Sequence, residues 1–239
     1  MILRPLIISL RIKHWVKNLF VFAALLFSLQ LFNLQLAERT LWAFAVFCVT
    51  ASSIYLINDL LDLKSDRQHP IKSLRPIASG SISPSAALLS AFFLLALGIG
   101  FAFRLDNTVG LVVLAYAVMN ILYSRFLKHW VIVDVMVVAL GFVFRALAGA
   151  EAINVEFSSW LLLSTFLLAL FLAFGKRRHE LTLLNNNATN HRPVLDQYSS
   201  YFLDQMIAVV TASTVVVYIL YATSKEITER FHTAGLVYT

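Results

Sequence analysis

Apolar residues occur along this chain in seven long runs, separated by polar connections. A helix that crosses the hydrocarbon core of a membrane needs about 20 mainly apolar residues. The runs that approximately meet this length are 16–34, 41–61, 85–103, 108–127, 131–150, 158–174 and 200–222. The pattern predicts an all-α protein, a multi-span transmembrane bundle of seven helices.

The composition indicates that much of the protein surface faces lipid rather than water. Of the 239 residues, 59% are hydrophobic and 13% are charged, whereas a soluble domain has about 25% charged residues. The net charge of +6 does not indicate nucleic-acid binding, because the basic residues form short clusters between apolar runs rather than a solvated patch. Cys48 is the only cysteine, which excludes an internal disulfide and a zinc site built on cysteines.

The distribution of basic residues predicts the orientation. Lys and Arg are concentrated in the N-terminus and in every second connection, and the other connections are short and carry few of them. Because positively charged connections stay in the cytoplasm, we expect a cytoplasmic N-terminus in the inner (plasma) membrane. The two longest cytoplasmic connections, 62–84 and 175–199, are rich in charged residues and are the expected location of the active site.

The first of these connections follows an acidic motif at the end of the second run. Asp59, Asp62 and Asp66 have the spacing i, i+3, i+7, so they share one face if the helix continues. Clustered carboxylates suit Mg²⁺, which also accepts phosphate oxygens as ligands. Asn58 precedes them, and cationic groups that could hold a diphosphate follow at once: Arg67, His69, Lys72 and Arg75. The competing interpretation is a solvated helix end.

A second polar cluster lies in the connection 175–199. Its members are Lys176, Arg177, Arg178, Glu180, Arg192, Asp196 and Tyr198. The basic residues alone could be a topological anchor, but acidic residues contribute little to topology. Glu180 and Asp196 therefore favour a functional role.

The fifth run contains two ionisable residues, Asp134 and Arg145. Their separation of eleven residues places them on nearly the same helix face. An ionisable residue inside a span indicates function by default, although structural pairing with another helix is equally compatible. Tyr123 and Lys128 lie at the same cytoplasmic level, at the end of the fourth run.

Together these residues resemble the UbiA superfamily of intramembrane prenyltransferases. Asn58, Asp59, Asp62 and Asp66 match its first motif, Asn-Asp-x-x-Asp-x-x-x-Asp. The second acidic motif of that family would fall in the connection with Glu180, but the usual close aspartates are not there, which argues against ordinary prenyl transfer. The resemblance is greatest to the decaprenyl-phosphate phosphoribosyltransferase branch. The matching stretches are Trp15–Asn18, the run from Asn58 through Asp66-Arg67 to Arg75–Gly80, Tyr123-Ser124 with Lys128 and Asp134, Gly141-Phe142 with Arg145-Ala146 and Ala148-Gly149, Gly175–Arg177 with Glu180-Leu181, and Arg192 with Leu195 and Tyr198.

The resemblance implies an Mg²⁺-dependent transfer of a 5-phosphoribosyl group from phosphoribosyl diphosphate to a polyprenyl phosphate, with release of diphosphate. It implies Asn58, Asp59, Asp62 and Asp66 as catalytic residues, the three aspartates being metal ligands. The expected substrate-binding residues are Lys17, Asn18, Arg67, Lys72, Arg75, Tyr123, Lys128, Asp134, Arg145, Lys176, Arg177, Glu180, Asp196 and Tyr198. Members usually have nine helices, so residues 1–239 are expected to be a single domain lacking the last two.

Two other functions stay open on the sequence alone. The same magnesium site could serve prenyl transfer from a polyprenyl diphosphate to an aromatic or other small acceptor. A transporter or lipid-phosphate binding protein could use the acidic site for cations. The sequence does not determine the length of the lipid or whether the protein forms a homo-oligomer. A lipid-phosphate acceptor is favoured because it is already ionised, and no histidine stands out as a general base.

Overall fold

The computed structural model describes residues 3–156, 159–184 and 193–224, and within these ranges the chain forms helices and no strands. The α-helices are α1 (Leu3–Ser9), α2 (Ala23–Phe27), α3 (Leu34–Leu61), α4 (Leu63–Gln68), α5 (Pro84–Leu105), α6 (Asn107–Arg125), α7 (Val133–Ala152), α8 (Ser159–Leu184) and α9 (Ser200–Thr223). Turns of 3₁₀ helix cover Ile12–Phe22, Lys72–Leu74, Leu127–His129 and Pro193–Gln197.

Six helices in the described part of the chain are long and apolar enough to cross a membrane: α3 and α5 to α9. Six of the seven predicted spans are therefore confirmed as helices of spanning length, and the chain is a multi-pass membrane protein. Successive long helices contact one another, with α3 also packed on α6. This is the arrangement expected of a bundle whose helices alternate in direction.

The first predicted span, 16–34, is not one long helix. Ile12–Phe22 is a 3₁₀ helix, which continues into the five-residue α2 and ends in a turn where Leu29 has φ 59°. The run is apolar, but polar residues end the helix: Ser28 donates to the Leu25 carbonyl, and Asn33 caps the next helix. The prediction of a seventh long helix was therefore wrong.

Local signals explain where several helices begin. A serine N-cap followed by proline is a sequence signal for a helix start, and Ser83-Pro84 has this pattern just before the predicted span 85–103. Ser83 accepts a hydrogen bond from the Ala86 amide and Pro84 occupies the first turn, so α5 does begin there. Asp106 caps α6 by accepting from the Thr108 amide at 2.7 Å. Each cap satisfies amides that would otherwise lack a partner at the end of a helix.

Close helix packing depends on small residues. A Cβ on Gly149 of α7 would lie 1.8 Å from the Val21 carbonyl oxygen, and one on Gly98 of α5 would lie 2.4 Å from Thr50 Oγ1 of α3. Small residues matter here because, in lipid, van der Waals packing drives helix association rather than the hydrophobic effect. The 3₁₀ helix Ile12–Phe22 is thereby held against α7, and it also packs on α3.

Helix α8 extends ten residues beyond the predicted end of its span. The sequence placed Lys176, Arg177 and Glu180 in a connection, but the helix continues to Leu184. Ion pairs at helical spacing support this extension: Lys176 with Glu180 at 3.8 Å and Arg177 with Glu180 at 3.1 Å. The part of the polar cluster from Lys176 to Glu180 therefore lies on a helix instead of a loop.

Candidate active site

The acidic motif forms a compact group of ion pairs at the end of α3. Asp59 and Asp66 are buried, and both accept hydrogen bonds from Arg75 Nη1, at 3.1 and 2.7 Å. Asp59 also accepts from Arg11 Nη2 at 2.5 Å. We call these four residues the aspartate–arginine cluster. One cationic atom thus lies between two carboxylates, although the four residues come from three separate parts of the chain.

Arg11 was not predicted as a site residue. It occupies the turn between α1 and the 3₁₀ helix, with φ 52°, and its guanidinium lies 4.8 Å from the centre of the Tyr55 ring. The sequence does not distinguish Arg11 from Arg4 or Lys13, because all belong to the same basic N-terminus. Only the packing of this segment on α3 shows that Arg11 reaches Asp59.

Asp62 has a different partner from the other two aspartates. Helix α3 ends at Leu61, and Asp62 adopts a non-helical conformation before α4 begins. Its carboxylate forms an ion pair with Lys128, which follows α6. The predicted common face of three aspartates is therefore interrupted, and two carboxylates converge while the third turns to the α6–α7 connection.

This geometry determines whether the carboxylates could hold a metal ion. Within residues 3–156, 159–184 and 193–224, no three His, Cys, Asp or Glu side chains converge to hold a metal ion. Asp59 and Asp66 do converge, on Arg75 Nη1. Magnesium sites commonly use only one or two carboxylates, together with waters and substrate phosphate oxygens. Two of the predicted ligands therefore fit a magnesium–diphosphate site.

A second ionic group links the start of α7 to the end of α8. Asp134 is fully buried and accepts from Arg177 Nε at 2.8 Å and from the Tyr198 hydroxyl at 2.6 Å. Arg177 also donates to Glu180, and Tyr198 accepts from the Ile132 amide at 2.8 Å. We call Asp134, Arg177, Glu180 and Tyr198 the Asp134 network. Its members were predicted to bind substrate, but here they bind one another.

Burial affects the acidity of Tyr198. Loss of hydration and the hydrogen bond to Asp134 raise the pKa of the phenol above its ordinary value, and the bond from the Ile132 amide opposes this only in part. The hydroxyl therefore stays protonated at ordinary pH and continues to donate to Asp134. The strained backbone at Ile132, with φ 68°, is held in part by this tyrosine.

Arg145 is buried in the middle of α7 and is satisfied there. It donates to Asn18 Oδ1 at 2.7 Å, to the Gly141 carbonyl at 2.5 Å and to the Tyr116 hydroxyl at 2.8 Å. Its guanidinium also lies 4.9 Å from the centre of the Tyr116 ring. Arg145 and Asn18 were both predicted to bind substrate, but here they join the 3₁₀ helix Ile12–Phe22 to α6 and α7. This supports structural pairing as the role of Arg145.

Several positive charges act on Lys17. Loss of hydration and the charges of Lys176, Arg145 and Arg11 lower the pKa of Lys17, which lies outside the six spans. Loss of hydration, followed by the charges of Lys17, Arg11 and Lys176, lowers the pKa of His14 in the same way. Because like charges repel one another, this arrangement favours an anion near Lys17.

The remaining predicted residues surround these groups. Arg67 donates to the Ala78 carbonyl at 3.3 Å, and Tyr123 is half-buried on α6 close to Arg177. Asn58 is half-buried, and its carbonyl accepts from the Asp62 amide. Lys72 is half-buried in the connection 62–84, and Asp196 is exposed on the 3₁₀ helix Pro193–Gln197. Arg192 lies outside the described residues.

Comparison with known proteins shows which family this chain resembles. Residues 17–179 match the model of the UbiA prenyltransferase family. The chain is 36% identical over 225 residues to decaprenyl-phosphate phosphoribosyltransferase of Mycolicibacterium smegmatis, covering 92% of this chain and 71% of that protein. It is 37% identical over 217 residues to the Corynebacterium glutamicum enzyme of the same name, covering 89% of this chain. The match spans 65% of the corynebacterial protein.

A solved structure shares the fold. The UbiA homologue from Archaeoglobus fulgidus, bound to GPP and Mg²⁺, superposes with a TM-score of 0.75 at 23% identity. The superposition covers 98% of this chain and 83% of that one. At this level of identity the likeness concerns the arrangement of helices.

Proposed function

Because the chain belongs to the UbiA prenyltransferase family, we propose that it transfers a 5-phosphoribosyl group from phosphoribosyl diphosphate to a polyprenyl phosphate of the decaprenyl type. The reaction releases diphosphate and uses Mg²⁺. The observation that carries the proposal is the similarity to decaprenyl-phosphate phosphoribosyltransferases over about nine-tenths of this chain.

The two converging carboxylates support a diphosphate leaving group. Asp59 and Asp66 would hold Mg²⁺, with diphosphate oxygens as further ligands. Bound there, the metal would stabilise the negative charge that develops on the departing diphosphate. Positive charge that develops at the ribosyl C1 would be stabilised electrostatically if C1 binds beside these carboxylates.

Two exposed cations support a phosphorylated sugar as the donor. Lys17 and Lys176 would bind its 5-phosphate, because Lys17 is exposed and Lys176 is held only in an exposed ion pair with Glu180. Lys128 and Arg177 were also predicted to bind substrate, but Lys128 pairs with Asp62 and Arg177 with buried Asp134. We therefore assign the 5-phosphate to Lys17 and Lys176.

The acceptor needs no general base. A phosphate monoester has its second pKa near 6, so the attacking oxygen is mostly ionised at neutral pH. Attack on C1 forms the new carbon–oxygen bond while the bond to diphosphate breaks. The protein then has to position both anions and neutralise their charge, which the arrangement of cations supports.

A direct assay tests the reaction. Membranes containing the protein are incubated with ¹⁴C-labelled phosphoribosyl diphosphate, decaprenyl phosphate and Mg²⁺, and the label in the organic phase is counted. We expect transfer with the wild-type chain, and none with EDTA or with the Asp59→Asn variant. If no label reaches the lipid while a labelled polyprenyl diphosphate is consumed with an aromatic acceptor, the chain is a prenyltransferase.

We also propose that the site faces the cytoplasm of the plasma membrane. The N-terminus and the connections 62–84, 125–130 and 175–199 together carry most of the Lys and Arg residues. A cysteine at Ser73 should react with an impermeant thiol reagent only from the cytoplasmic side, and one at Asn107 only from outside. Cys48 is buried and should not interfere. Labelling of both positions from one side would contradict this orientation.

A further inference from the structure

The arginines of the aspartate–arginine cluster occupy the place that a metal would need. Arg75 Nη1 lies 3.1 Å from an oxygen of Asp59 and 2.7 Å from an oxygen of Asp66. A magnesium ion bound by both carboxylates would lie about 2.0–2.1 Å from each oxygen. Such an ion and this nitrogen cannot occupy the same space between the two aspartates. Binding of the metal through these same two oxygens therefore requires Arg75 to move.

The arginines are more accessible than the carboxylates they neutralise. The side chains of Asp59 and Asp66 are 3% and 4% exposed, whereas those of Arg11 and Arg75 are 21% and 28% exposed. Arg75 also belongs to a connection, directly after the 3₁₀ helix Lys72–Leu74. Partly hydrated guanidinium groups on flexible stems lose little when they change partner, while the carboxylates remain fixed on α3 and α4.

The backbone around Arg11 directs its side chain to Asp59. Arg11 has φ 52°, a conformation that residues with a Cβ rarely adopt. Two hydrogen bonds through one serine hold this turn: Ser52 Oγ donates to the Leu10 carbonyl at 2.9 Å and accepts from Trp15 Nε1 at 3.0 Å. Strained backbone that its surroundings hold in place is concentrated at functional sites.

We propose that Arg11 and Arg75 are exchangeable counter-ions of this site. They neutralise Asp59 and Asp66 when no metal is bound, and they pair with the oxygens of the diphosphate once Mg²⁺ has taken over the carboxylates. The inference rests on the proposed magnesium–diphosphate site, but it does not depend on which group is transferred.

Charge and geometry agree with this exchange. Two carboxylates and two guanidinium groups form a neutral cluster in the metal-free state. The divalent metal replaces both positive charges, which frees both arginines just where the anionic diphosphate arrives. A guanidinium binds phosphate and carboxylate through the same planar arrangement of donors.

The exchange predicts changes of opposite sign in two affinities. Removal of Arg75 or Arg11 should strengthen metal binding, because a competing cation is lost, and should weaken diphosphate binding, because a phosphate contact is lost. A hydrogen bond between charged groups accounts for about one decade or more in affinity. We therefore expect each affinity to change by about tenfold, with the larger effect on the metal for Arg75→Ala.

The test uses Mn²⁺ in place of Mg²⁺, with the purified full chain in detergent. Free Mn²⁺ is counted by electron paramagnetic resonance, first without diphosphate, and inorganic diphosphate is then titrated at saturating Mn²⁺. Lys13→Ala is the matched control, since Lys13 is an exposed cation on the same segment, and neither affinity should change. If an alanine variant is not folded, Arg11→Lys and Arg75→Lys keep the charge but lose the planar fork, and should weaken diphosphate binding alone.

The outcomes separate this inference from the proposed function. Tighter binding of Mn²⁺ and weaker binding of diphosphate by the alanine variants support the exchange. A fall or no change in the Mn²⁺ affinity of Arg75→Ala overturns it, as does unchanged diphosphate binding in both alanine variants. If the wild-type chain binds no Mn²⁺ even with diphosphate, the magnesium site of the proposed function fails as well. Transfer of label to decaprenyl phosphate is measured separately.

Discussion

Asp59 and Asp134 both accept hydrogen bonds from an arginine at the same end of the bundle, but the two arginine environments differ. In the aspartate–arginine cluster, the side chains of Arg11 and Arg75 are 21% and 28% exposed. In the Asp134 network, the side chain of Arg177 is 4% exposed and that of Asp134 is 0% exposed. Water therefore reaches the cations of the first group and is excluded from those of the second.

This difference in exposure separates ion pairs that can change partners from ion pairs that hold the fold together. A buried ion pair that loses one partner leaves an uncompensated charge in a low dielectric, so its members are committed to each other. A partly hydrated pair can change partners at small cost, because water compensates the lost contact. The same residue types therefore hold the fold together in one place and are available to substrate in the other.

The α6–α7 connection joins the two groups. Lys128 in this connection pairs with Asp62, next to the aspartate–arginine cluster, and four residues later the Ile132 amide donates to Tyr198 of the Asp134 network. A rigid second group therefore determines where the connection lies relative to the first. Substitutions in the aspartate–arginine cluster and in the Asp134 network test this difference.

The largest expected effect is on stability, in the buried group. Arg177→Ala leaves Asp134 charged and buried, which should cost about 3–5 kcal/mol. Arg11→Ala in the other group should cost about 1 kcal/mol, because Arg75 still pairs with Asp59 and water is near. Thermal unfolding of both variants in the same detergent measures the difference. The double variant Asp134→Asn with Arg177→Met should recover most of the loss, and equal losses for Arg177→Ala and Arg11→Ala would remove the distinction.

The next effect is on turnover, in the exposed group. Asp59→Asn should reduce transfer more than about 100-fold, since even groups that only support a metal ligand account for 10- to 100-fold. The protein should still reach the membrane and remain folded. Asp204→Asn is the control, because it also removes an aspartate–arginine pair, at the surface beside α8, and it should transfer at the wild-type rate. Normal activity in Asp59→Asn would contradict the metal site.

A smaller effect is expected at Tyr198. Tyr198→Phe removes a hydrogen bond to a buried carboxylate and should destabilise the fold by about 1.5–3 kcal/mol. Because the folded-state pKa of this tyrosine is raised above 10.0, its contribution is fully present below pH 10 and is lost only as the pH rises through the folded-state pKa. Unfolding of wild type and variant between neutral pH and about pH 9 should give a constant difference. A difference that shrinks within this range would show that Tyr198 titrates earlier.

The smallest effect concerns substrate affinity near Lys17. Lys17→Ala should raise the KM for phosphoribosyl diphosphate about tenfold, as one contact to a charged phosphate is lost. The KM for decaprenyl phosphate should change less, and the thermal stability should not fall, because removal of Lys17 relieves repulsion with the cations around it. Steady-state kinetics with each substrate varied in turn measure both constants. A larger effect on the lipid substrate would assign Lys17 to the acceptor instead.

Several features followed from the sequence without any tertiary information. Long apolar runs predicted the six spanning helices, because lipid requires continuous apolar segments with internal hydrogen bonds. Ser83-Pro84 predicted the start of α5. The spacing of Asp59 and Asp66 predicted an acidic site, and the two carboxylates do converge, although they lie on α3 and α4 and meet at Arg75.

Other features were decided only when distant segments met. The ion pair of Asp62 needs Lys128, the turn at Arg11 is held by Ser52, and Arg177 is buried against Asp134. None of these partners is near the other in sequence. Local periodicity determines which residues share a helix face, whereas the burial of a charge and the identity of its partner depend on which helices pack together. For this reason the sequence alone predicted the fold class and the acidic motif, and the tertiary structure alone distinguished the exchangeable arginines from the permanent one.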